Sequence, residues 1–528
     1  MTRAVPLLTF VAVALAVTLP VLAHLHLPMV DLPNHIARHH IAATSGTALD
    51  QYYEYTYALV PNSAVDFLWW VLGHPMDPYR FSQLTIAFYA LNFVASVMVL
   101  SRVLHGKWSA WPAASGLLVF NACFFWGFQN YLFTVPFAIY GLSLWLATEP
   151  RPVWQRLALF VPLAFGLYLM HFFGFVVLLA AAFGREAQRL IASGSGWPRH
   201  VLKAAPLGLP FALPVGHLLH QSLTGPEREV VGITKYGNPL ETLQEAVVST
   251  FNGPNTLAVP GLMISGIVGL GVMVLLFLTL RRQTGPRLIL APVMYGPLSA
   301  LAVICVLAPQ WLNGVALVNI RFFFVAIGIA MAASVWTGLT RKSGTVLAIS
   351  IAAIIGLRGV QVETLARVHN DDVKAVLALL EDVPAGARLL TVRGDEPNPD
   401  WRRAHIGAYA VPERNAFAPT LFQGVHAIRL NAGWQDHAHP QAYALDHRAL
   451  FSPGSEYSRA YFSGLEMSSD ARFWEDWEAK FTHMLVFGTL DGDPAETAPV
   501  SLIRTMGAFT LYEILVDGET PKTAQVTP

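Results

Sequence analysis

After Met1, Thr2 and Arg3 the chain enters a run with no charge, "AVPLLTFVAVALAVTLPVLA", from Ala4 to Ala23. As a helix, a run of about twenty apolar residues reaches across the hydrocarbon core of a bilayer. Runs of the same kind recur through the first two thirds of the sequence. In lipid the backbone must satisfy its own hydrogen bonds, so such runs become helices. The charge content agrees. Only 13% of the 528 residues are charged and 54% are hydrophobic, whereas soluble domains carry about 25% charged residues. A formal net charge of zero leaves no electrostatic footprint for nucleic acid. Cys123 and Cys305 both lie inside apolar runs and read as small core residues, not as a disulfide framework. A second reading of the first run is a signal peptide ending in "VLA" before His24. Its long apolar core and the further spans behind it favour an uncleaved first helix.

Spans are expected near 5–25, 81–101, 110–128, 130–147, 157–170, 172–186, 203–220, 257–280, 288–307, 318–338 and 343–360, about eleven in all. Basic residues set the orientation. Arg102 and Lys107, Arg151 and Arg156, Arg185 through Lys203, Arg281 through Arg287, and Arg341 with Lys342 all fall on one side if the N-terminus is cytoplasmic. The segment 157–186 could be one long tilted helix, but that would move the 185–203 basic cluster to the other side. Two short helices hinged near His171 keep the positive-inside pattern.

The outer side then collects the loops 26–80 and 221–256 and the tail from about 361 to 528. Residues 1–360 form the expected membrane module. The tail is expected as a small extracytoplasmic α/β domain. "DDVKAVLALLEDV" (371–383) reads as an amphipathic helix capped by Asp371 and Asp372. The stretches 387–393, 483–488 and 507–515 read as strands. There is no internal repeat. The fold class expected is an α-helical polytopic membrane protein with an α/β domain at its C-terminal end, in the plasma membrane.

The first carboxylate stands where the first helix should meet water, in "PMVDLPNHIARHH" (28–40). Asp31 could simply cap the following helix. Yet Asp31, His35 and His39 recur every four residues and would share one helix face, with Pro33 harmless in the first turn. His35 and His39 at this spacing could bind zinc, but no third ligand is evident, and a solvent-facing or satisfied pair is the simpler reading. "YYEYTY" (52–57) and "FLWW" (67–70) suit an interfacial aromatic belt or a sugar-stacking surface on short interfacial helices.

Four stretches, "VDLPNHIAR" (30–38), "GFQNYLF" (127–133), "YLMHFFGF" (168–175) and "NIRFFF" (319–324), resemble the GT-C class of integral-membrane glycosyltransferases. The resemblance lies in an acid directly after the first helix, many further helices and an outer C-terminal domain. It implies a sugar donor carried on a polyprenyl phosphate, a glycan, lipid or protein acceptor, and Asp31 as the catalytic base. The chemistry is consistent with that role. The leaving phosphate is already a stable anion, so one base suffices, and direct displacement inverts the anomeric centre. A cation near the departing charge is expected. Arg321 is the first choice, against a reading as an arginine snorkelling to headgroups, and Arg228 and Lys235 follow. Gln129 and Asn130 would bond sugar hydroxyls or cap a membrane turn. His35 and Arg38 beside Asp31, and His171, complete the substrate-binding candidates. Many GT-C members carry a second acid that helps hold a divalent metal. Here Leu32 follows Asp31, and Gln129 and Asn130 occupy the next outer turn. The sequence therefore commits to no cofactor and leaves a divalent metal open. The rival readings are a secondary transporter of a small polar or anionic solute, which would use Arg321 and His171 as ligands, and a non-catalytic scaffold. The missing repeat and the charges gathered at the outer edge weigh against transport.

Overall fold

The structure, a computed structural model, describes residues 4–58, 60–74, 76–194, 197–224, 234–254, 285–313, 315–396, 400–423, 428–438, 444–451, 473–490 and 492–515. The span expected at 257–280 and the candidate Arg228 lie outside the described residues. The chain divides into two compact units. One comprises Met1–Ala23, Val60–Phe67 and Leu84–Thr364; the other comprises His24–Leu59, Leu68–Gln83 and Leu365–Pro528.

The first unit is helical. The helices Ala4–Leu22, Pro78–His105, Gln129–Ala147, Val153–Met170 and Arg341–Leu380 are long and apolar enough to cross a membrane. In Ala4–Leu22, Val13, Val17 and Val21 are buried at a spacing of four, while Leu7, Leu8, Leu15 and Leu19 are exposed. One stripe packs on protein, and the opposite face offers bare leucine, a surface suited to hydrocarbon. Val153–Met170 and Phe172–Ala192 are separated by His171 alone, which is extended at φ −167° and ψ 127°. The hinge expected there is present. The helices Phe172–Ala192 and Tyr295–Leu307 approach at Gly184 and Gly296, where a Cβ on either residue would strike the carbonyl of the other. Small residues at such a crossing let two backbones touch. Cys123 and Cys305 are buried free thiols.

Several expected helices take other forms. The 110–128 segment is a 3-10 helix, Trp111–Leu118, followed by a short α-helix, Ala122–Trp126. Ser115 and Gly116 lower the α-helical propensity of this stretch, and Asn121 restarts the chain by accepting from the Phe124 N–H. The 318–338 run is helical only over Ile320–Ala333. Its β-branched end, Ser334–Thr337, pairs antiparallel with Arg287–Leu290 at the head of the 288–307 segment. Asp371 and Asp372 do not start a helix; they lie inside Arg341–Leu380, which is continuous for 40 residues. Asp371 pairs with Lys374, and Asp372 with Arg403, so these acids serve side-chain pairs instead of a cap.

The second unit is built on a five-stranded mixed sheet. Its order is Val500–Met506, Phe509–Ile514, His483–Phe487, Leu389–Arg393, Leu445–Asp446. The last three strands run parallel and the first two pair as an antiparallel hairpin. His483–Phe487 is buried at every position, as a central strand covered on both faces should be. Residues from the early loop belong to this core. Tyr53–Tyr55 pairs with Ile428–Leu430, and Tyr53 stacks on Phe417 at 5.5 Å while its hydroxyl donates to the Ala418 carbonyl at 2.9 Å. Tyr52, Tyr53 and Trp69 are therefore core residues, closed to a lipid interface or a sugar. Trp70, stacked on Tyr57 at 5.5 Å, remains exposed.

Candidate active site

Asp31 stands at the head of the helix Leu32–Ala43, and its backbone carbonyl accepts from the His35 N–H at 3.2 Å. Its carboxylate makes no capping bond to that helix. The capping role open to it in the sequence is thus not the one it takes. Oδ1 instead lies 3.8 Å from Nε2 of His405, a residue of the distant tail. Complete burial lowers the His405 imidazole to about 3, so the ring is neutral and does not cancel the carboxylate charge. One turn on, His35 Nδ1 accepts from Arg38 Nη2 at 2.9 Å. That bond leaves the imidazole proton on Nε2. Phe422 receives the rings of His35 and His405 edge-on, at 6.3 and 5.1 Å between centroids.

His39 has a different employment. It packs at 5.4 Å on Trp69 and 5.3 Å on Phe81, and its carbonyl accepts from Trp69 Nε1. His35 and His39 thus do not act as a pair. Among the described residues no group of three or more His, Cys, Asp or Glu side chains is placed to hold a metal ion.

His26 lies edge-on between Tyr79 and Tyr409, and burial lowers it to about 4. His26 and His405 give a stability prediction with a defined sign. Both are neutral in the folded chain at pH values where an unfolded histidine, near 6.5, has already taken its proton. Below about 6.5 the unfolded state binds more protons, so stability falls with falling pH until about 4 for His26 and about 3 for His405. Thermal unfolding of the full chain is expected at progressively lower temperature from pH 7 to pH 4. A flat profile over that range would refute the neutral, buried state of these rings.

The helical unit gathers another set. Arg321 is buried at the start of Ile320–Ala333. Its guanidinium lies 4.0 Å over the Phe128 ring and 5.0 Å over Phe173, a cation–π cradle. Nε donates to the Leu317 carbonyl at 3.2 Å and Nη2 to the Ala316 carbonyl at 3.0 Å. Burial excludes snorkelling to solvent. His171 packs on Tyr131 at 5.0 Å, and its Nδ1 accepts from the Phe173 N–H at 3.1 Å. Tyr131 donates its hydroxyl to the Arg321 carbonyl. Arg321, His171, Tyr131 and Phe173 are therefore one cluster. Gln129 Nε2 donates to Thr85 Oγ1 at 2.8 Å. Asn130 caps Val65 through Oδ1 at 2.7 Å and donates from Nδ2 to the Asn62 carbonyl at 2.7 Å and to Asp66 at 3.2 Å. Both amides hold protein groups. Lys235 is exposed and pairs through its backbone with Trp311.

Three residues escaped the sequence reading. Asp66 interrupts an apolar run, Arg358 sits inside a span, and His405 carries no local mark. Arg358 is buried and donates to the Phe120 carbonyl at 2.9 Å and to that of Phe251. Single charges within apolar runs were the available signal for the first two.

Two crystal structures of ArnT from Cupriavidus metallidurans resemble this chain, in the apo state and bound to undecaprenyl phosphate, with TM-scores of 0.53 and 0.54. Each comparison covers 98% of this chain and 99% of that one, at 14% and 12% identity. The fold is of the GT-C class. The likeness runs through the helical unit and the C-terminal sheet alike. No family profile and no curated protein sequence matches the chain.

Proposed function

We propose that this protein is a multi-pass inner-membrane glycosyltransferase that moves a sugar from a polyprenyl-phosphate donor to a glycan, lipid or protein acceptor. The observation that carries the reading is the end-to-end fold shared with ArnT, one of whose structures holds undecaprenyl phosphate. In this reading the N-terminus is cytoplasmic and the tail domain extracytoplasmic, as the basic loops require.

The steps follow from the chemistry. Asp31 takes the proton of the acceptor hydroxyl, the oxygen attacks the anomeric carbon, and the bond to the phosphate oxygen breaks. The lipid phosphate leaves as an anion and needs no proton. Direct displacement inverts the anomeric configuration. Arg321 supplies positive charge for the departing phosphate. His35, Arg38 and His171 bind substrate in this reading, with Lys235 and Arg228 as further cations.

The test is transfer by the purified full chain in detergent, using undecaprenyl-phosphate donors with radiolabelled hexose or pentose and membrane lipid extract as acceptor. Label is expected to move into the acceptor with release of undecaprenyl phosphate. Donors consumed by none of the preparations, with undecaprenyl phosphate failing to bind, would overturn the reading.

A further inference from the structure

From the tail, the His405 side chain reaches the candidate base. His405 is wholly buried, with Nε2 3.8 Å from Asp31 Oδ1. Burying an imidazole costs free energy that a leucine would not, so packing alone does not account for it. The backbone leading to His405 is also held. Arg402 Nε donates to Asp400 Oδ1 at 2.9 Å, and Arg403 bridges Asp372 at 3.1 Å and Glu396 at 2.6 Å. Phe422 packs edge-on with the ring at 5.1 Å between centroids. The imidazole is thus fixed in place and neutral, and a neutral ring whose Nε2 carries the proton is a donor toward a carboxylate.

We propose that His405 is a positioning residue for Asp31: its Nε2–H points at Oδ1 and orients the carboxylate. The consequence for a glycosyl transfer rests on the reading of Asp31 as the base, but the pairing itself does not. The gap of 3.8 Å exceeds a hydrogen bond, which forms near 2.9 Å. Catalytic bonds of this kind are commonly long without substrate and tighten when it binds. A donor aimed at a carboxylate favours its charged form and holds its pKa down.

Among the described residues, several other titratable and charged groups lie on the elements packed around the pair. On the helix of Asp31, His35 is bonded to Arg38, His39 lies among aromatic rings and His40 bonds Asn415. Leu32–Ala43 packs against Ile406–Tyr409, Ala410–Arg414 and Tyr53–Tyr55. Of their charged residues, Glu413 accepts from the Tyr79 hydroxyl, Arg414 donates to the Val383 carbonyl, and Glu54 is exposed. Arg402 and Arg403 are engaged with the acids named above.

The experiment needs no substrate, so it is separable from the fate of the transferase reading. The full chain is labelled with carbonyl-13C aspartate, and the infrared band of protonated Asp31 is isolated by subtracting the Asp31→Asn spectrum. His405→Leu is expected to raise the Asp31 titration midpoint by about one pH unit. His405→Gln, whose amide N–H reaches the position of Nε2, is expected to restore it. An unmoved midpoint in His405→Leu overturns the proposal. A reciprocal arm covers a leucine variant that does not fold. In 15N-histidine protein, Asp31→Asn is expected to shift the His405 Nε2 resonance, and an unshifted resonance equally overturns the proposal.

Discussion

Asp31→Asn is expected to slow sugar transfer by about 10²- to 10⁴-fold, the usual worth of a general base, with the unfolding temperature almost unchanged. The substitution keeps the shape of the side chain and removes its basicity. An acceptor hydroxyl at neutral pH holds its proton tightly, and its oxygen attacks well only as that proton leaves. The leaving phosphate asks for nothing in return, so no second acid can stand in for the missing base. Stability is spared for a structural reason: the carboxylate makes no capping bond to its own helix, and its histidine neighbour is neutral. Donor affinity should also hold, since the base meets the acceptor and not the lipid phosphate. Initial rates on the labelled donor, with binding of undecaprenyl phosphate measured beside them, check both halves. Turnover within threefold of the parent would remove Asp31 from the mechanism.

The helical framework was legible because hydrophobic periodicity and basic loops are local signals. The break at His171 shows how far they reach. The run 157–184 is apolar but for His171, and only the basic cluster behind it called for a hinge. The strands at 389–393, 483–487 and 509–514 were legible for the same reason, being short apolar runs between turn residues. What sequence could not show was pairing at a distance. Tyr53 looks like an interfacial tyrosine in "YYEYTY", and only the strand Ile428–Leu430 makes it a core residue. Asp371 and Asp372 look like a helix start, yet Arg403 and Lys374 take them up within a continuing helix. His405 is the sharpest case. Nothing in "RRAHIGAY" marks it, because its meaning comes from an acid 374 positions earlier in the chain (405 minus 31). Asn130 was legible as a polar residue at a turn. Its choice of Asp66 and Val65 as partners was not.

Arg321 carries the second large effect. A buried guanidinium in an apolar unit is expensive and is retained where its charge is used. Here it also has a structural task, since it holds the Ala316 and Leu317 carbonyls just before its own helix and lies over two phenylalanine rings. The two roles separate on substitution. Arg321→Lys keeps the charge and loses the planar fork that reaches both carbonyls. Arg321→Gln keeps one short donor and loses the charge. If the charge stabilises the departing phosphate, the glutamine variant should lose about 10²- to 10³-fold in turnover, as when one preorganised electrostatic partner is removed, and bind undecaprenyl phosphate at least tenfold more weakly. The lysine variant should then retain the larger share of both. If the arginine is only a clamp, both variants should unfold at lower temperature while the folded fraction binds undecaprenyl phosphate as the parent does. Comparing the two variants at matched folded fraction decides between charge and clamp. Equal turnover in the lysine and glutamine variants, with unchanged lipid binding, would leave Arg321 outside the chemistry and return the search for the phosphate's cation to Lys235 and Arg228.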